Sequence, residues 1–199
     1  MKKSAIILAF AALFSINAMA QTLQDGMGNF HAERYQSAKA VFEKLTAANP
    51  NNIEAVYWLG QTLIEQDDVA GAKALYQRTL AANGNAPWVL VGMGHINLLE
   101  GKTAEARQQF DQAIVASKGK KTNDPNILNA VGRANVEVYS DENKVGDIDY
   151  AIAKLNEAAQ AAPTNPDIFV TLGNAYRKKH NGGEAVQAYR KAGSYAPAL

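Results

Sequence analysis

The chain has 199 residues, is 47% hydrophobic and 20% charged, and carries a formal net charge of +1. That composition is globular and excludes a disordered chain, while the near-neutral charge gives no basic surface for nucleic acid or anionic membrane. Cysteine is absent altogether, which excludes disulfides, thiolate zinc sites, a cysteine nucleophile and a lipid-modified N-terminal cysteine.

The first element in chain order is a leader. Lys2 and Lys3 precede a largely apolar run from Ala5 to Ile16, and Ala18-Met19-Ala20 has the small-x-small form of a cleavage site. Residues 1–20 are predicted to be a signal peptide, leaving Gln21 first and an exported protein, periplasmic or extracellular. The run is shorter than the roughly 20 apolar residues of a spanning helix. No later segment is long and apolar enough either, so no stable membrane insertion is expected after cleavage. Loss of Lys2 and Lys3 takes the formal side-chain charge from +1 to −1.

From Gln21 onward the chain repeats itself. Glycines in apolar, helix-like surroundings fall at Gly26, Gly60, Gly94, Gly132 and Gly173, at intervals of 34, 34, 38 and 41. A small alanine follows each glycine, at Ala38, Ala72, Ala106, Ala151 and Ala185; the distance is 12 residues except in the fourth copy, where it is 19. Four residues further lies a large side chain: Phe42, Tyr76, Phe110, Leu155 and Tyr189. Proline lies twelve past the alanine at Pro50, Pro163 and Pro197. Two helices joined by a short polar turn, such as "EGKTAEA" or "HNGGEA", account for the pattern. Glycine and polar residues break the helix at the turn. A small residue on each helix permits close crossing, and spacings of three and four hold the set on one face. A single hairpin cannot bury that face, but stacked copies can. The predicted units run about 21–52, 53–86, 87–124, 125–165 and 166–199.

With this period, and with "WLGQTL…AGAKALYQRTL" and "TLGNAYRKKHNGGEAVQAYRKAGSYAP", the chain resembles the tetratricopeptide repeat family over about Met19 to Leu199. The resemblance implies an all-α fold: a right-handed superhelical solenoid of antiparallel helix pairs whose first helices line a concave groove. Asp25 and Asn29 depart from it, standing where apolar or aromatic residues are usual, and Gly84 replaces a closing proline. Family members turn three side chains per unit to the groove: three before, one after and four after the glycine. The matching positions are Tyr57, Gln61 and Ile64; Val91, His95 and Leu98; Asn129, Arg133 and Val136; and Val170, Asn174 and Arg177. Tyr57, Gln61, His95, Asn129, Arg133, Asn174 and Arg177 are the candidate partner-binding residues. Aromatic, amide and cationic groups suit an extended peptide or partner helix, and arginine and asparagine bond backbone or carboxylates. The Lys, Asn and Arg set with which chaperone-binding members hold a C-terminal carboxylate is absent, since Val170 stands where its lysine would precede Asn174.

The stretch "VYSDENKVGDIDYAIAKL" gathers Asp141, Glu142, Asp147 and Asp149 around Gly146. Read as a calcium loop, Asp141, Asn143 and Gly146 fit, but Val145 replaces a ligand and Ile152 the bidentate glutamate. Seven residues inserted into the turn of the fourth unit, near 141–147, explain it better, with Asp147 or Asp149 capping the helix that follows. An acid/base carboxylate pair needs a shielded cleft that a short turn does not supply. His31, His95 and His180 belong to different units and form no ligand set. Neither "GMG" (Gly26 to Gly28, Gly92 to Gly94) continues to a phosphate loop, and the basic run "KGKKTND" reads as a solvated connection between units.

The expectation is a non-catalytic protein–protein interaction scaffold of the bacterial cell envelope, binding a partner segment in its groove without cofactor or metal. Two alternatives accompany it. One is a structural subunit stacking through its ends, with self-association through an uncapped C-terminal end. The other is the recruiting module of a larger protein.

Overall fold

Helix starts are written locally in this sequence. Pro87, Pro125 and Pro166 each open a helix at its first position, where a missing N–H costs nothing. Asn52, Asp124, Asp147 and Asn165 cap helices by accepting a hydrogen bond from a backbone N–H of the first turn. The structure, a computed structural model, describes residues 23–119, 122–142 and 145–195; the predicted leader, Pro197 and Asn143 lie outside them.

Among the described residues there are ten helices and no strand. They are α1 (23–31), α2 (Tyr35–Ala48), α3 (Ile53–Glu65), α4 (Val69–Ala82), α5 (Pro87–Leu99), α6 (Thr103–Ala116), α7 (Pro125–Val138), α8 (Ile148–Ala161), α9 (Pro166–Lys178) and α10 (Gly182–Tyr195). The fold is an all-α helical repeat. It forms two compact units, one ending at Tyr76 and the other beginning at Gln77, within α4.

In the first unit the core is aromatic. Phe42, Tyr57, Trp58 and Tyr76 are buried, with Trp58 edge-on to Phe30 at 5.2 Å and stacked over Phe42 at 6.4 Å. In the second unit α5–α6, α7–α8 and α9–α10 are antiparallel hairpins, and α7 packs beside both α5 and α9. Leu155, Phe169, Leu172 and Ala175 belong to its core.

The repeating glycines mark where the two helices of a hairpin cross. A methyl group on Gly60 would lie 2.2 Å from Tyr76 Cζ, and one on Gly94 would lie 2.3 Å from Phe110 Cε1. Gly26, Gly132 and Gly173 stand in the same relation to Phe42, Leu155 and Tyr189. Glycine therefore sits there for space.

Seven residues after the glycine the chain turns through a left-handed residue: Glu33 (φ 58°), Asp67 (61°), Gly101 (73°) and His180 (58°). The fourth copy has Tyr139 instead, in extended conformation (φ −63°, ψ 130°), and the turn does not close. Nine residues, 139–147, separate α7 from α8, against three, 179–181, between α9 and α10. The insertion is not a free flap. The buried side chain of Asn135 accepts from Asp147 N at 3.1 Å, and Gly146 lies so close to the α7 end that a methyl there would be 2.1 Å from Asn135 O.

Candidate functional site

Tyr57 and Gln61 fall in the first unit, and both are buried, 1% and 2% exposed. Gln61 Nε2 donates to Tyr76 Oη at 3.0 Å, and Tyr76 Oη donates to Tyr57 O at 2.8 Å. These groups hold a crossing together and present almost no surface to a ligand.

The other five candidates fall in the second unit. His95 is 2% exposed. Its Nε2 lies 3.8 Å from Glu137 Oε2, too far for a hydrogen bond. Burial, and then the charge of Arg133, push its pKa down to about 3, so the imidazole is neutral at pH 7. The cationic partner of Glu137 is Arg133, whose Nε is 3.5 Å from Oε1. One turn before Arg133, Asn129 is partly exposed, and its buried Oδ1 accepts no hydrogen bond among the described residues. On α9, Asn174 Oδ1 accepts from Tyr189 Oη at 2.7 Å, while Val170 and Arg177 face solvent.

The candidates thus separate into two groups. Tyr57, Gln61 and His95 are interior. Asn129 and Arg133 with Glu137 on α7, and Val170, Asn174 and Arg177 on α9, form partly exposed stripes at helical spacing on neighbouring helices. Arg133 is largely compensated by Glu137, so the positive charge offered outward is mainly that of Arg177. Glu137 was not singled out in the sequence, although its position four residues after Arg133 is the spacing of a helical ion pair. Asn135 was missed too; asparagine stands at the same position in the first and third units, Asn29 and Asn97, so its residue type alone did not mark it.

In and beside the insertion, Asp141, Asp147 and Asp149 give their carboxylates to protein groups. Asp147 caps α8 through Tyr150 N (2.9 Å) and pairs with Arg107 (2.7 Å). Asp141 accepts from Tyr139 Oη at 3.0 Å and lies 2.8 Å from His180 Nε2, and Asp149 pairs with Lys179. Lys178 Nζ donates to Tyr139 O at 2.8 Å. The insertion is thereby tied to the end of α9, and its acids point to different partners rather than to one centre.

Residues 29–90 match the model of the tetratricopeptide repeat. Among solved structures, TTC0263, a thermophilic TPR protein of Thermus thermophilus, is similar with a TM-score of 0.58 at 21% identity, over 90% of this chain and 92% of that one. Yeast Tom70 gives a TM-score of 0.52 at 17% identity, over 95% of this chain and 39% of that one. MamA gives 0.47 at 19% identity, over 91% and 97%. The repeated glycine crossings and the family match together define a helical-repeat protein. Residues 29–90 carry the tetratricopeptide repeat match, and the chain as a whole shares its fold with solved proteins of that kind.

Proposed function

We propose that the chain is a non-catalytic scaffold that docks a segment of a partner protein along the first helices of its hairpins, chiefly on α7 and α9. The observation that carries this reading is Asn129: a buried carbonyl oxygen with no donor among the described residues, set beside Arg133 on a helix otherwise packed into the core. A peptide N–H supplies the missing donor. Asn174, whose oxygen is held by Tyr189, keeps its amide nitrogen as a donor for a peptide carbonyl. Such contacts read main chain, and Arg177 adds attraction for a carboxylate. Val170, 44% exposed, offers the apolar contact between them.

The predicted leader supports placement in the bacterial envelope. N-terminal sequencing of the protein from its natural host checks this, with Gln21 expected first; a retained Met1 overturns it.

A photo-crosslinking side chain at position 170 tests the docking face, with the same group at exposed Val115 of α6 as the control. Adducts specific to position 170, lost in the Asn129→Ala and Arg177→Glu variants, are expected. Equal labelling from both positions removes the reading.

A further inference from the structure

We propose that Asn83 is a modification site, at which the chain converts an amide into a carboxylate by attack of its own backbone. The same turn follows α2, α4 and α8. Its opening residue is Asn49, Asn83 or Ala162, and the carbonyl of that residue accepts from the N–H three residues on: Asn52 at 3.0 Å, Ala86 at 3.2 Å and Asn165 at 3.2 Å. The second residue of the turn is Pro50, Gly84 or Pro163. Asparagine therefore opens this turn twice, once before a proline and once before a glycine. Proline has no N–H to give up, and its ring restricts the residue before it. Gly84 has the N–H, and no hydrogen bond holds it among the described residues. The space around it is open as well, since a methyl there would come no nearer than 4.0 Å to its closest neighbour. The side chain of Asn83 is equally unrestrained. Asn49 Oδ1 accepts from Asn51 N at 3.0 Å, whereas the exposed amide of Asn83 makes no hydrogen bond among the described residues.

The step balances with water as its only co-reactant. Gly84 N bonds to Asn83 Cγ, the Cγ–Nδ2 bond breaks, and ammonia leaves with the proton of the Gly84 N–H. Water then opens the five-membered imide. Attack at Cγ yields aspartate, and attack at the main-chain carbonyl yields isoaspartate, in which the backbone runs through the former side chain. Either opening returns a proton to Gly84 N. Asparagine precedes glycine once more, at Asn181–Gly182. There the side chain is engaged, because Asn181 Oδ1 accepts from Glu184 N at 3.3 Å in the first turn of α10. The fold thus separates two identical dipeptides and leaves the one at Asn83 ready to react. The new carboxylate stands just past Ala82, at the end of α4 where the helix dipole disfavours an anion, and takes the formal net charge of the chain from +1 to 0. Isoaspartate also adds a carbon to the backbone that leads into α5. This site is separate from the α7 and α9 stripes and does not depend on how they are read.

The test is incubation of the full chain at neutral pH in water enriched in the heavy oxygen isotope, followed by peptide mapping with fragmentation that separates aspartate from isoaspartate. Labelled acid is expected at position 83 and severalfold less at position 181, with the two rates converging in chain unfolded by urea. Gly84→Pro, which restores the proline of the other two turns at a position with free space and no bonded N–H, is expected to abolish the conversion while the circular dichroism spectrum stays unchanged. Asn83→Gln, which leaves the backbone alone, is expected to suppress it too. An unlabelled position 83 overturns the proposal, as does equal labelling of positions 83 and 181 in the folded chain. Undiminished labelling at position 83 in Gly84→Pro overturns it as well, because the Gly84 nitrogen would then not be the attacking group.

Discussion

One crossing occurs twice with opposite surroundings. In the unit ending at Tyr76, Gly60 lets a tyrosine lie across its helix, and the hydroxyl meets the amide one residue after the glycine, Gln61. In the other unit Gly173, Tyr189 and Asn174 stand in the same places, with the bond reversed: the Tyr189 hydroxyl donates to Asn174 Oδ1, whereas Gln61 Nε2 donates to the Tyr76 hydroxyl. The first tyrosine is fully buried and the second is 36% exposed. The same pairing of hydroxyl and amide therefore has different worth. At Tyr76 the hydroxyl bond satisfies groups that water cannot reach, and at Tyr189 it competes with water. The position after the glycine is a structural link in one unit and part of an open surface in the other.

The glycines should separate the two most. A methyl at position 60 would overlap a ring packed on all sides, and Gly60→Ala is expected to cost about 3 kcal/mol, the upper range of core overpacking. In Gly173→Ala the partner ring has solvent on one side and can swing outward, so about 1 kcal/mol is expected. Urea unfolding followed by circular dichroism measures both. Equal losses would show that the exposure of Tyr189 does not relax its crossing.

The next effect concerns a crossing with no hydroxyl. Phe110 stands where Tyr76 stands, and the residue after its glycine, His95, is buried and neutral. The unfolded chain protonates this imidazole near pH 6.5, while the folded chain resists until about pH 3. Between those values the unfolded state holds the extra proton, so stability falls as pH falls, by ~1.4 kcal/mol per unit for one proton. A loss of about 2 kcal/mol between pH 8 and pH 5 is expected from this group, and His95→Gln should flatten the profile by that amount. An unchanged slope in the variant would mean that His95 is protonated in the fold, with Glu137 as its partner.

Tyr76→Phe comes third. It removes the acceptor of Gln61 Nε2 and the donor to Tyr57 O while leaving the ring in place. The expected loss is about 1.5 kcal/mol, within the range for leaving buried polar groups unmet. A loss below about 0.5 kcal/mol, the usual bound for a surface change, would mean the interior repairs the gap by itself.

These contrasts show what the sequence made legible. The period, the helix pairs and the glycine crossings were readable because each copy writes the same spacing, and five copies in step leave little freedom. The long connection in the fourth copy was readable in kind, since the interval from Gly132 to Ala151 exceeds the others by seven and nine residues separate α7 from α8. Its anchoring by Asn135 was not, because the bond joins a helix interior to a backbone N–H twelve residues on. Burial at the groove positions was equally hidden. Tyr57 occupies the same formal position as Val170, and Gln61 and His95 that of Asn174, yet only Val170 and Asn174 keep appreciable surface. Repeat spacing assigns each residue a place in its own hairpin, whereas exposure depends on what packs against that hairpin.

Tyr189→Phe is the smallest expected change and the most informative about the open end of the comparison. The Tyr189 hydroxyl and the Asn174 amide both lie at partly exposed residues, so water replaces their bond and stability should move by less than about 0.5 kcal/mol. The effect on binding is of another kind. With the hydroxyl gone, Asn174 loses the contact that fixes its oxygen, and its amide is no longer held with the nitrogen as the outward donor. If the α9 stripe reads peptide main chain, crosslinking from position 170 should weaken severalfold in Tyr189→Phe at unchanged stability. If stability falls as far as in Tyr76→Phe, Tyr189 is covered in solution, and the exposure that sets the two crossings apart does not hold.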